Sequence, residues 1–97
     1  MNGADRGGGW RRWVVRGRVQ GVGFRFFVKR LADSLALVGW VRNVHDGSVE
    51  VVAGGAEEVL RQFEQGLREG PPAARVERVE TSLLSAPSDA IGFEILR

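Results

Sequence analysis

The stretch Gln20-Gly21-Val22-Gly23-Phe24-Arg25-Phe26-Phe27-Val28 decides how the whole chain is read. Two glycines bracket a valine, and an arginine sits among three phenylalanines. As a strand, the stretch would offer its aromatics from a sheet face. As a loop running into a helix, its glycines would expose backbone amides and its aromatics would enter a core. Period separates the two. Phe24, Phe27, Val28, Leu31, Ala32 and Leu35 recur at three and four residues, which is one stripe of a helix. Arg25, Lys29, Arg30 and Asp33 fall mostly off that stripe. The spacing predicts a loop from Gln20 to Gly23 and a helix from Phe24 to Leu35 or Ala36.

Working outward, Trp13 to Val19 is rich in β-branched residues and predicts a strand, with Gly17 marking a bulge or the end of pairing. After the helix, Val38 to Val44 predicts a second strand. His45-Asp46-Gly47-Ser48 carries Asp-Gly, a hairpin turn signal, and Val49 to Ala53 returns as a third strand. Gly54-Gly55 is expected to break that strand. Glu57 and Glu58 suit the first turn of a second helix, whose stripe is Val59, Leu60, Phe63 and Leu67. Gly70 caps it and Pro71-Pro72 stops it. Val76 to Ser82 predicts a half-buried strand, Ser85 to Ala90 a loop, and Gly92 to Leu96 a short final strand. Residues 1–9, with four glycines and no apolar period, are expected to form a flexible leader to a single domain over residues 10–97. The order of elements predicts an α+β fold, a ferredoxin-like βαββαβ sandwich. Its antiparallel sheet carries two helices on one face, with a short extra C-terminal strand.

Composition narrows the functions. A chain of 97 residues fits one domain. It has no cysteine, which removes disulfides, thiolate nucleophiles and thiolate metal ligands. No apolar run is long enough to span a bilayer as a helix, and no apolar segment follows Arg6 as a signal peptide requires. Histidine occurs once, so no metal cluster is legible. Trp10 to Asn43 holds eight Arg or Lys and one acid, Asp33, whereas Asp46 to Glu69 holds six acids and two arginines. The first part favours an anionic partner, although such arginines are as often a solvated face. Glu57 and Glu58 are adjacent and cannot share a helix face. His45 and Asp46 read as turn residues. Trp40 reads as core.

Two functions compete for the opening stretch. Gly21-Val22-Gly23-Phe24-Arg25-Phe26 is superficially close to the aromatic motif with which an RRM stacks on RNA bases. That motif lies on the third strand of its fold. Here the stretch follows the first strand, a valine stands at the first aromatic position, and the stripe runs at helical period. Single-stranded RNA binding by a non-enzymatic module is therefore the secondary reading. The primary reading is an anion cradle. Residues without side chains at 21 and 23 let successive amides converge, a helix N-terminus follows, and Arg25 supplies a bidentate fork. Spacing alone leaves open an ordinary glycine turn beside a surface arginine. Neither the dinucleotide nor the P-loop pattern is completed, since Phe26 stands where a third glycine would and no Gly-Lys-Ser/Thr follows.

Gly17-Arg18-Val19-Gln20-Gly21-Val22-Gly23-Phe24-Arg25, with Gly39-Trp40-Val41-Arg42-Asn43-x-x-Asp46-Gly47-x-Val49-Glu50 downstream, resembles the two hallmark segments of the acylphosphatase family. The resemblance covers the chain from about Trp13 onward. It implies a small, monomeric, cytoplasmic enzyme with no cofactor and no metal, hydrolysing the carboxyl-phosphate anhydride of acyl phosphates to a carboxylate and inorganic phosphate. It implies that Gln20, Gly21, Val22, Gly23, Phe24 and Arg25 bind phosphate, that Arg25 is catalytic, and that Asn43 holds the attacking water. Neither a membrane nor a nucleic acid is expected as a partner. A carbamoyl phosphate hydrolase like the domain of hydrogenase maturation proteins is the variant within the resemblance; the lack of a following domain argues against it. One departure is Ala36, where relatives often place glycine after the first helix; a positive φ there would cost about 1 kcal/mol.

Overall fold

A computed structural model describes residues 8–85 and 91–97. The elements are β1 (Gly8–Arg18), α1 (Phe24–Ser34), β2 (Val38–Asn43), β3 (Val49–Ala56), α2 (Glu57–Glu69), β4 (Arg75–Leu84) and β5 (Phe93–Ile95). They form one five-stranded sheet in the order β4-β1-β3-β2-β5. The first four strands pair antiparallel, and β5 adds to β2 in parallel, so the sheet is mixed. Both helices pack on one face and touch each other. This is the ferredoxin-like sandwich that periodicity predicts.

The core lies between the helices and that sheet face. Trp13 and Val15 from β1, Val41 from β2, and Val49, Val51 and Ala53 from β3 alternate inward along their strands. Phe24, Val28 and Ala32 of α1 and Leu60, Phe63 and Leu67 of α2 meet them. Phe63 packs edge-on against Trp13 at 5.3 Å and Phe93 at 6.1 Å between centroids, an arrangement the ring quadrupoles favour. Trp13 satisfies its indole N–H on Glu64 at 2.8 Å. At Gly17 the register against β4 shifts by one residue and pairing continues to Arg18, so of the two alternatives Gly17 marks a bulge and not the end of pairing.

Three strand boundaries differ from the sequence expectation by two residues or more. Gly54 and Gly55 do not end β3; they pair with Trp10 and Gly9, and β1 starts at Gly8, inside the span read as leader. Contacts between side chains and backbone explain the glycines. A Cβ on Gly54 would lie 2.4 Å from the Trp10 ring, and one on Gly55 would lie 2.4 Å from Leu37. Large neighbours fill the missing side-chain space, so two residues that read as a break are a seat. β4 continues to Leu84 because Trp10 and Arg11 of the lengthened β1 pair with Leu84 and Leu83. The rest of the leader, and residues 86–90 of the loop, lie outside the described residues.

Trp40 is not core. It alternates with buried Val41, so it stands half-buried on the open sheet face opposite Val52. Glu50 on that face is 7% exposed and accepts Arg12 at 2.5 Å and Arg42 at 2.6 Å. Burial pushes its carboxyl up, but the two guanidinium hydrogen bonds outweigh burial and leave it below the ordinary range.

Candidate active site

The sheet order sets the site. β1 and β2 both run antiparallel to β3 between them, so β1 and β2 are parallel. The loop leaving β1 and the end of β2 therefore emerge at one edge of the sheet. β5 is parallel to β2, so the chain after it arrives there too.

Between Arg18 and Phe24 the chain makes no regular structure. Gly21 has φ 75° and Gly23 φ 77°, in the left-handed region that side chains disfavour. Gly23 precedes α1 without a side-chain cap. The first helical bond is Phe27 N–H to the Gly23 carbonyl at 3.1 Å, so the amides of Phe24, Arg25 and Phe26 have no partner within the helix. The first turn of α1 contains no acid, unlike α2 with Glu57 and Glu58. The positive end of the α1 dipole thus stays available to an outside anion.

Val19, Gly21, Gly23, Phe24, Arg25, Phe26 and Asn43 line one cleft of about 90 Å³. Arg25 enters no ion pair among the described residues; one guanidinium nitrogen donates to the Leu96 carbonyl at 3.4 Å. Four other arginines of the basic half are engaged elsewhere, whereas Arg18 and Arg30 also enter no ion pair among the described residues and do not line the cleft. Arg11 pairs with Glu57, Arg12 and Arg42 with Glu50, and Arg16 with Asp46 and Glu80. Asn43 ends β2 opposite Val49, and its Oδ1 is buried with no hydrogen-bond partner among the described residues. A buried acceptor left alone costs about 1–3 kcal/mol, so the atom is positioned at a cost.

Of the residues expected to bind phosphate, Gly21, Gly23, Phe24 and Arg25 line this cleft with Asn43, whereas Gln20 and Val22 do not. Val22 packs against the core. The Gln20 amide donates to the Val44 carbonyl at 2.7 Å and the Ser48 carbonyl at 2.8 Å. It ties the glycine loop to the turn that follows Asn43. A glutamine between a strand and a glycine loop carries no periodic signal, so sequence reasoning missed this tie. Phe26, which lies off the apolar stripe of α1, also lines the cleft.

The turn is braced from beneath. Asp46 accepts the Ser48 amide at 2.9 Å and its hydroxyl at 2.6 Å, and Arg16 at 3.1 Å. The Ser48 hydrogen bonds, then Arg16, hold the Asp46 carboxyl at about 2. Asp46 is ionised at neutral pH and serves the turn; neither it nor exposed His45 lines the cleft. No group of three His, Cys, Asp or Glu among the described residues is arranged to hold a metal ion. No described helix is long and apolar enough to cross a membrane.

The family model described as Acylphosphatase matches residues 11–95. An acylphosphatase of Koribacter versatilis is 47% identical over 85 residues, covering 88% of this chain and 77% of that relative. The crystal structure of acylphosphatase from Bacillus subtilis superimposes with a TM-score of 0.86 at 39% identity, covering 91% of this chain and 98% of the other. The structure of an acylphosphatase from Coxiella burnetii does so with a TM-score of 0.89 at 34% identity, covering 99% and 100%.

Proposed function

The chain belongs to the acylphosphatase family, whose activity is hydrolysis of the acyl-phosphate bond, and from this premise we propose that the cleft at the β1–α1 junction carries out that reaction. The observation that carries the assignment of residues is the unpartnered Asn43 Oδ1 lining the same cleft as Arg25 and the glycine loop. The amides of Gly21, Gly23, Phe24, Arg25 and Phe26 receive the phosphoryl oxygens, and the Arg25 guanidinium neutralises charge where it develops. The Leu96 carbonyl steers that guanidinium without quenching its charge. Asn43 Oδ1 accepts one hydrogen of a water, which aims the oxygen lone pair at phosphorus in line with the leaving group.

The oxygen–phosphorus bond forms as the phosphorus–acyl oxygen bond breaks. The electron pair leaves on a carboxylate whose conjugate acid has a pKa of about 4–5, so no general acid is needed. The water's proton passes to the phosphate late in the reaction. This chemistry requires neither a side-chain base nor a metal. We read the enzyme as a cytoplasmic monomer that does not bind nucleic acid. The stretch that resembles an RNA motif is loop and helix, with Phe24 turned into the core.

Benzoyl phosphate hydrolysis in excess EDTA tests the reading. Wild type is expected to turn over. Arg25→Ala should lose on the order of 10²–10³ in kcat and resist inhibition by inorganic phosphate. Asn43→Ala should lose about 10² in kcat with a smaller change in KM. Robust activity in Asn43→Ala would remove the water-positioning role. An inactive wild type that binds single-stranded RNA in a salt-sensitive way would favour the RNA module.

A further inference from the structure

Phe26 is the aromatic of the opening stretch that the fold does not use. Phe24 is buried, and Phe27 packs against the core, but Phe26 is 67% exposed on the first turn of α1. Two residues along a helix turn a side chain to nearly the opposite face, so the ring stays outside the core formed by the described residues. The other large exposed apolar side chains among the described residues are Leu83, Leu84 and Ile91, and none lines the cleft. Phe26 does, beside Arg25.

The lining of the cleft gives this position a meaning. Its volume is about 90 Å³, and the phosphoryl-binding groups proposed above, the loop amides and Arg25, form part of its lining. With its phosphoryl end against those groups, the acyl group extends away from them, and Phe26 is the one large apolar side chain of the lining that is exposed to meet it.

We propose that Phe26 is the acyl subsite, a platform on which an uncharged apolar acyl group, aromatic or branched aliphatic, packs while its phosphoryl end sits in the cleft. This rests on reading the cleft as the acyl phosphate site. An aromatic side chain supplies contact area with few torsions to freeze, so the contact is made at low entropic cost. A benzoyl group can stack on the ring or meet its edge, whereas acetyl offers one methyl. The negative face of the ring disfavours an acyl group that ends in a carboxylate.

The test is the ratio of kcat/KM for benzoyl phosphate to that for acetyl phosphate. It is measured in wild type, Phe26→Ala and Phe26→Tyr. In Phe26→Ala the ratio should fall about three- to tenfold, and Phe26→Tyr should restore it. A ratio within about twofold of wild type in Phe26→Ala, or one that falls equally in Phe26→Tyr, overturns the subsite. If wild type hydrolyses neither substrate, the reading of the cleft fails and the subsite with it. Normal wild-type turnover with an unmoved ratio removes the subsite alone.

Discussion

Replacing Ala36 by glycine should stabilise the domain. Ala36 has φ 56°, the only non-glycine residue with positive φ in the described backbone. The end of α1 forces it there. Leu37 N–H reaches the Ala32 carbonyl at 2.9 Å and Ala36 N–H the Asp33 carbonyl at 3.1 Å, the paired bonds of a Schellman motif. Leu37 and Ala32 are both buried in the core, so the chain cannot relax without losing them. The left-handed conformation costs an L-residue roughly 1–2 kcal/mol. Glycine removes that cost but gives back about 0.4–1 kcal/mol through its freer unfolded chain. Ala36 is exposed, so no cavity opens. The net gain is about 0.5–1 kcal/mol, or roughly 2–8 °C in Tm for a domain of this size. Thermal and urea unfolding of wild type, Ala36→Gly and Ala36→Val would measure it. The β-branched variant should fall below wild type. A lower or unchanged Tm in Ala36→Gly would refute the argument that alanine is strained at this cap.

Gln20→Ala should lower kcat about tenfold while KM changes less, because the turn after Asn43 loses its tie to the glycine loop. The same variant should lose about 1–3 kcal/mol in urea unfolding, from two hydrogen bonds; an unaltered kcat would remove the tie from the mechanism. Asp46 has its carboxyl lowered from 3.8 to about 2 in the fold, so its contribution is present above the unfolded value and is lost as pH falls between the two. The stability gap between wild type and Asp46→Asn should therefore narrow from about pH 5 to about pH 2.5, read as urea midpoints; a gap that widens on acidification contradicts the turn-brace role.

The hairpin, both helices and the glycine loop before α1 were legible because each rests on local pattern. Asp46-Gly47 marked the turn, the stripe from Phe24 separated helix from strand, and Gly70 with Pro71-Pro72 ended α2. Missed boundaries lay where a distant side chain supplied the missing reason. Trp10 lies over Gly54 and Leu37 over Gly55, and neither contact has a signature near residue 54. Trp40 read as core because a strand tryptophan usually packs; alternation with Val41 put it on the other face.

By itself the sequence determined which residues could do the chemistry. The bare backbone around Gly21 and Gly23, the guanidinium of Arg25 and the amide of Asn43 are properties of residue types in order. Tertiary structure decided that they share a cleft. Arg25 and Asn43 belong to different elements, and only a sheet that places β3 between parallel β1 and β2 brings the loop and the strand end to one edge. That order also delivers the Leu96 carbonyl to Arg25 and the turn carbonyls to Gln20. It leaves Phe26 exposed beside the cleft, because a helix that buries Phe24 and Val28 must turn the residue between them to solvent.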